Sequence, residues 1–303
     1  MKDTYNSEAH LNTVTSVVDT LKYVKKFAGK TLLIKIGGSA LEKPELVRSI
    51  CRDLIAIKSV GVSIVLVHGG GPSINEELGR RQIQWEFVDG LRVTTPEMMD
   101  VIETVLVGKM NRRIVRQLSA NGLAAVGFSG ADHNTLLCRQ LHPKWGQVGQ
   151  VERVNADLIQ SVLKNPNLKT IPVIAPIGIG RKGEAYNVNA DWAASYLASA
   201  LGVSKLIFLT DQNGILGAKG ELLPDLDAGE LEVLIESKVV LGGMLAKTKT
   251  IIHALKHKVS AVHVLNAQRP HALIEELFTE RGVGTVCRLR SRTSRSKEER
   301  ANG

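Results

Sequence analysis

The sequence predicts an α/β protein, a three-layer αβα sandwich around a mainly parallel, open central sheet. Three observations predict it. Nearly continuous apolar runs recur along the 303 residues, as expected of strands covered on both faces. Amphipathic segments with helical spacing lie between those runs. Glycine clusters follow several of the runs, where strands give way to helices.

The elements follow in order. "HLNTVTSVVDTLKYVKKFAGK" places Val14, Val17, Val18, Leu21, Val24 and Phe27 at helical spacing, which predicts an amphipathic helix ahead of the first core strand. "TLLIKIGG" is that strand, and Pro44 opens the helix "KPELVRSICRDLIAIKSV", closed by Gly61. "VSIVLVHGGG" is a second strand running into a helix. Thr95 and Pro96 start the long helix "TPEMMDVIETVLVGKMNRRIVRQLSANG", with Gly122 as its C-cap. "AAVGFSG", "TIPVIAPIGIG", "KLIFLTD" and "AVHVLN" are further strands, "ADWAASYLASALG" a helix, and "GAKGELLPDLDAGE" a polar hairpin or loop. There are no internal repeats.

Composition narrows the function. Apolar residues make up 44% and charged residues 23%, ordinary globular values. No apolar run reaches the roughly 18–20 residues that span a bilayer, and "MKDTYNSEAHLNTV" lacks the apolar block of a signal peptide. A cytoplasmic protein with no membrane partner is expected. Of the net charge of +9, +4 comes from "RLRSRTSRSKEERANG", with six basic and two acidic residues. Aromatics at 4% without basic–aromatic interleaving exclude a base-stacking surface, so no nucleic-acid partner is expected and small anions fit better. Cys51, Cys138 and Cys287 are widely spaced, which suits reduced, buried thiols. His253 and His257 lack the glutamate of H-E-x-x-H, so no metal site is expected there.

Several motifs carry chemistry. Lys35 stands near the end of an apolar strand, just before Gly37 and Gly38. A charge there is costly unless an anion meets it. "VHGGGPSIN" sets Gly69, Gly70 and Gly71 before a helix, where backbone N–H groups can approach an anion. "GIGRKG" matches G-x-G-x-x-G only formally, because "EAYNVNAD" intervenes before the next helix. "GGMLAKT" fails as a Walker A loop, with Ala246 and Leu241 at the glycine positions, yet Lys247 follows glycines at a helix start. In "NVNAD", Asn189 or Asp191 could serve only as a helix cap. Arg92 in "GLRVT" suits bidentate carboxylate recognition.

"LLIKIGGSAL", "LVHGGGPSINEEL", "FVDGLRVTTPEMMDVIETVLVGKMNRRIV", "YNVNADWAASYLASALG", "LIFLTDQNGIL" and "GGMLAKTKTIIHAL" occur together and in this order. The ordered set resembles the amino acid kinase family over about residues 20–290. "GLRVT" with "NVNAD" resembles its acetylglutamate branch rather than the aspartate, carbamate or UMP kinases. The resemblance implies ATP-dependent phosphorylation of the γ-carboxylate of N-acetyl-L-glutamate in arginine biosynthesis, inhibited by arginine, with Mg²⁺ carried on the ATP phosphates.

It further implies Lys35 and Lys247 as transition-state stabilisers, with Asp191 orienting both. Gly70, Gly71, Arg92 and Asn187 would hold the acyl-amino acid. Gly37, Gly38, Asp211, Gly214, Val239 and Leu241 would serve the nucleotide. His271, Glu276 and Gly282 are candidates for the arginine site. The implied organisation is an oligomerisation helix over 1–28 and an acyl-amino-acid-binding and dimerising lobe over 29–178. A nucleotide lobe would cover 179–290, and a disordered basic tail 291–303. A homo-oligomer is implied, a dimer at least and a ring-shaped hexamer through the N-terminal helix. Family members often carry serine at the position of Leu241 and proline at that of Ala246, so the adenine side departs from the pattern. Nothing in the sequence accounts for "HPKW", within a stretch where the resemblance implies a β-hairpin. The alternatives are the arginine-sensing, kinase-like module of an acetylglutamate synthase and a catalytically silent regulatory protein. About a dozen residues follow the fold, too few for an acetyltransferase domain, and a sensor would not need Lys35, Asp191 and Lys247 together.

Overall fold

The computed structural model describes residues 22–279 and 282–290. The expected N-terminal helix falls largely, and the basic tail wholly, outside them. Residues 22–27 are helical, and Phe27 is buried edge-on against Phe278 with ring centroids 5.8 Å apart.

Fourteen strands are present among the described residues. The first half contributes β1 (Thr31–Ile36), β2 (Ser63–His68), β3 (Phe87–Val88), β4 (Leu91–Arg92), β5 (Ala125–Ser129), β6 (Leu136–Gln140) and β7 (Gly149–Val154). The second contributes β8 (Ile171–Ala175), β9 (Ile177–Ile179), β10 (Ala185–Asn187), β11 (Lys205–Thr210), β12 (Asp225–Asp227), β13 (Val262–Asn266) and β14 (Thr285–Arg288). Eight of them form one sheet in the order β12-β14-β13-β11-β1-β2-β8-β5. All its pairings are parallel except β13 with β14. The mainly parallel three-layer architecture is as the sequence predicts.

Strand alternation divides the core in two. Leu32, Ile34, Ile36, Ile64 and Leu66 face one layer, made by α1 (Gly38–Glu42), α2 (Pro44–Ser59), α4 (Pro96–Glu103) and α5 (Arg112–Ala120). Leu33, Val65, Val67 and Phe208 face the other, made by α6 (Asp157–Lys164), α7 (Ala190–Leu201), α8 (Ala228–Glu236) and α9 (Gly242–Lys256). Such double coverage is why these strands read as unbroken apolar runs. Lys35 shares the parity of Leu33 and is in register with Val67 and Phe208, so it points toward the layer of α7 and α9.

Local signals explain most boundaries. Pro44 opens α2, and the Thr95 hydroxyl caps α4 by accepting from Met98 N. Three features depart from expectation. The long helix after Thr95 is interrupted by a π-helical stretch, Thr104–Asn111, which periodicity alone does not reveal. "TIPVIAPIGIG" is two strands, β8 and β9, rather than one, and "GIGRKG" turns β9 back into β10. The polar segment after Gly217 ends in an edge strand, β12. The β6–β7 hairpin, with β9 and β10, builds a second sheet of four strands over the first. Cys51, Cys138 and Cys287 are free and buried, as their spacing implied.

The two sheets meet where β5 ends. A Cβ on Gly130 would lie 2.3 Å from the Ile177 carbonyl oxygen and 2.6 Å from Leu136 Cδ1, and backbone cannot give way cheaply. Gly130→Ala is expected to lower stability by about 2 kcal/mol or more, read by urea denaturation. Gly79→Ala, inside α3 (Gly71–Arg80) with only the tip of Trp85 at 3.9 Å, serves as the neutral control. Equal midpoints for the two variants would refute this packing at the junction.

Candidate active site

In the central sheet β1 lies between β2 and β11, the switch point at which open α/β sheets collect ligands beyond the carboxyl ends of their strands. The Gly37–Gly38 turn after β1, the triple glycine after β2 and the Asp211 loop after β11 all open at this edge. Gly37 N donates to Leu209 O at 3.0 Å. A Cβ on Gly38 would stand 3.1 Å from Gly70 N, and one on Gly69 would stand 3.2 Å from Gly38 N. The two glycine turns therefore abut backbone to backbone, which side chains would prevent.

Lys35, near the end of β1, answers the question its position raises. Its Nζ lies 2.7 Å from Asp191 Oδ1, and Lys247 Nζ lies 2.6 Å from Asp191 Oδ2. One carboxylate thus holds two ammonium groups from different elements, a trio of net charge +1. Asn189 is the true cap of α7, its Oδ1 accepting from Asp191 N at 2.9 Å and Trp192 N at 3.2 Å. That leaves the Asp191 side chain free for the lysines. Lys247, six residues into α9, lies over the Phe208 ring at 4.7 Å. Burial alone would raise the Asp191 carboxyl, but the two ammonium groups outweigh it and hold it well below the usual carboxylate range. Burial, helped by the like charge of Lys35, pulls Lys247 below its ordinary value against the attraction of Asp191.

Two cavities flank this trio. One of about 490 Å³ is lined by Asp191 and Lys247 together with Asp211, Gly214, Val239 and Leu241. Leu241 is 64% exposed at its rim. Gly37 and Gly38 line neither cavity; they form the back-to-back turn described above. The other, of about 180 Å³, is lined by Gly70, Gly71, Arg92 and Asn187, with Phe87, Leu106 and the α7 start at Asn189 and Ala190. The first turn of α7 is therefore the wall between the two.

Arg92 is buried, and burial lowers its guanidinium below the ordinary value. Its Nη2 donates to Asn75 Oδ1, and the Phe87 ring stacks at 4.7 Å. Its Nη1 is buried without a hydrogen-bond partner. A desolvated guanidinium with an uncommitted donor on a cavity wall has the geometry and charge to pair with a carboxylate. Beneath the triple glycine, burial takes His68 down to about 4, so it is neutral at ordinary pH. Its Nδ1 lies 3.0 Å from Gly69 O and its Nε2 is 3.3 Å from Asn111 Nδ2. The π-helical stretch delivers Asn111 and sets Leu106 against Gly70, where a Cβ would approach to 2.5 Å.

Sequence reasoning missed Asn75, Phe87, His68 and Asn111. "VHGGG" offered a signal for His68, as a polar residue closing a buried strand. Asn75 and Phe87 carry none.

The three candidates for a further ligand separate. Glu276 is buried and accepts from Val283 N at 2.8 Å and from His263 Nδ1 at 2.6 Å. His263 Nε2 in turn meets Lys205 Nζ. Burial lowers Lys205 to about 8. Gly282 is adjacent, since a Cβ there would lie 2.7 Å from Glu276 Oε2. His271 is elsewhere, its Nδ1 at 2.7 Å from Asp53 Oδ1. The histidine of this cluster is therefore His263, not His271. Strand pairing and helix packing, rather than nearness in sequence, select it. Among the described residues no group of three or more His, Cys, Asp or Glu could hold a metal ion.

Residues 30–266 match the amino acid kinase family. Acetylglutamate kinase of Clostridioides difficile is 40% identical over 283 residues, covering 92% of this chain and 98% of that protein. The fold is similar to N-acetylglutamate synthase from Neisseria gonorrhoeae complexed with coenzyme A and N-acetyl-glutamate. That likeness has a TM-score of 0.82 and 23% identity, over 92% of this chain and 64% of that one. The same synthase complexed with coenzyme A and L-arginine gives a TM-score of 0.80 and 21% identity, over 92% and 66%. The chain thus spans about two thirds of the synthase, and at these identities the likeness concerns the fold.

Asp191→Asn leaves two ammonium groups facing each other in a buried site. It is expected to cost about 3 kcal/mol of stability, the scale for removing one partner of a buried ion pair. Urea denaturation at neutral pH measures it; an unchanged midpoint would mean that the lysines do not depend on this carboxylate.

Proposed function

The chain belongs to the amino acid kinase family, and we propose that it transfers the γ-phosphoryl group of ATP to the side-chain carboxylate of N-acetyl-L-glutamate, the acetylglutamate kinase reaction of arginine biosynthesis. The observation that carries this reading is the meeting of Lys35 and Lys247 on Asp191, at the wall between two cavities. The larger cavity takes the nucleotide, with Asp211, Gly214, Val239 and Leu241 along it. The smaller takes the acyl-amino acid. Arg92 holds the α-carboxylate, Asn187 the acetylamino group, and Gly70 and Gly71 border the reacting end.

The nucleophile is a carboxylate with an ordinary pKa near 4.3, already ionised at neutral pH, so no general base is required. Catalysis then reduces to alignment and to neutralising negative charge on the transferring phosphoryl group. Lys35 and Lys247 supply that charge from two sides. Asp191 orients them and offsets part of their mutual repulsion. Gly38 and Gly70 present backbone N–H groups to the same region. As in the resembling family, a Mg²⁺ ion would be carried by the nucleotide phosphates and stay chiefly hydrated. When bound, it screens the phosphate charge.

Arginine is the proposed feedback inhibitor, at the buried Glu276 with Gly282 and His263. The synthase of the same fold complexed with L-arginine supports that class of ligand. We place the enzyme in the cytoplasm as a homo-oligomer, a dimer at least and a hexamer through segment 1–28. No described helix is long and apolar enough to cross a membrane. A catalytically silent sensor would have no use for both lysines.

Initial rates of ADP release over a panel of acyl-amino acids, repeated with arginine, test the reading. N-acetyl-L-glutamate is expected to be the preferred acceptor and arginine to inhibit. Lys247→Met removes one stabilising charge while Lys35 keeps Asp191 paired. It should bind both substrates but lose at least about 100-fold in kcat. In the wild type, kcat/KM, which follows the free enzyme, should fall on the alkaline side before the ordinary lysine value of 10.5, because burial makes Lys247 lose its proton early. Wild-type turnover in Lys247→Met would overturn the assignment.

A further inference from the structure

The two side chains assigned to the ends of the acyl-amino acid are far apart in sequence but joined through one buried hydroxyl. Thr94 has no exposed surface. Its Oγ1 donates to the Arg92 carbonyl at 3.0 Å and accepts from Asn187 Nδ2 at 3.1 Å. The donated bond stays within its own turn, as a self-satisfying threonine's would. The accepted one does not, and it ties the backbone beside Arg92 to the Asn187 side chain, 93 positions away.

Thr94 is itself fixed by the "HPKW" segment, for which the sequence offered no account. That segment is a short 3-10 turn, Pro143–Trp145. Thr94 N donates to Trp145 O at 3.0 Å, and Gln147 N donates to Thr94 O at 2.7 Å. Asn187 N donates to Gln147 O at 2.9 Å, so both pocket elements hang on the same turn. On its other side Trp145 Nε1 donates to Val88 O at 3.0 Å, and Lys144 Nζ pairs with Asp89 Oδ2 at 2.9 Å. These bonds pin the β3–β4 hairpin that carries Phe87 and Arg92. Gly146 makes the arrangement possible, with φ +63 and a missing Cβ that would lie 2.2 Å from Thr94 O.

We propose that Thr94 is a positioning residue that sets the spacing between Arg92 and Asn187, and with it the length of acyl-amino acid the site accepts. The Trp145 turn holds it in place. The inference rests on the acetylglutamate reading above. It assigns discrimination to a residue that touches no substrate: with the hydroxyl gone, the Asn187 amide can rotate and the far end of the pocket no longer has one fixed distance from Arg92.

Thr94→Val keeps the shape and deletes both side-chain bonds. Initial rates are measured with N-acetyl-L-glutamate and with N-acetyl-L-aspartate, one methylene shorter. Thr94→Val is expected to raise KM for N-acetyl-L-glutamate by about tenfold, the scale of one lost hydrogen bond. It should also shrink the kcat/KM preference for the longer acceptor, with KM for ATP unchanged. Thr94→Ser, which restores the hydroxyl, should recover both values. An unchanged KM, an unchanged preference, or a parallel rise in KM for ATP would overturn the proposal. Should Thr94→Val fail to fold, Trp145→Phe, which deletes the bond to Val88 O and trims the ring beneath Lys144, must raise the same KM, and an unchanged KM there overturns it too. If the unmutated protein releases no ADP with N-acetyl-L-glutamate, the functional reading itself has failed, a result distinct from a normal wild type with an indifferent Thr94→Val.

Discussion

Two positive charges brought to one point in a water-poor site repel each other, and a single carboxylate, Asp191, makes their convergence tolerable. Much of the architecture serves that constraint. Placing β1 between β2 and β11 brings Lys35 to the middle of the sheet edge. Packing α7 against α9 on the same face brings Asp191 to Lys247. Capping by Asn189 fixes the first turn of α7, so the carboxylate is held by backbone as well as by charge. The trio is left with one net positive charge, in a position that a phosphoryl group can share with the Asp191 carboxylate.

Around this centre the structure uses absence of side chains as deliberately as their presence. The turns after β1 and β2 touch backbone to backbone because Gly38 and Gly69 have no Cβ. Gly70 gives up its side-chain space to Leu106, which the π-helical stretch turns toward it. π-helical turns tend to mark functional sites, and here one also delivers Asn111 to the neutral His68 beneath the glycines. Charge, close backbone approach and a pinned hairpin are thus built on separate elements that meet at one edge.

What was legible in the sequence follows from how local each signal is. Lys35 stood out because a lysine in an apolar strand is costly, and Arg92 and the glycine clusters stood out beside turns. The sheet was legible because doubly covered strands are apolar throughout. In "NVNAD" the sequence left open whether Asn189 or Asp191 caps the helix. Either side chain can accept from a first-turn N–H, and only the geometry assigns the cap to Asn189. Thr94, Asn75 and Phe87 look like ordinary loop residues, and their contacts come from segments many positions away. The π-helical stretch keeps a helical apolar pattern and leaves no separate trace. The resemblance offered His271 beside Glu276, whereas the histidine that reaches Glu276 is His263, on β13.

The measurement closest to the central claim is a crystal structure with ADP, Mg²⁺, N-acetyl-L-glutamate and aluminium fluoride, a planar mimic of the phosphoryl group in flight. The fluoride group is expected at the wall between the two cavities, with Lys35 Nζ and Lys247 Nζ both within hydrogen-bond distance of it and Asp191 still touching both lysines. A complex in which either ammonium group stays on Asp191 alone, away from the fluoride, would contradict that claim.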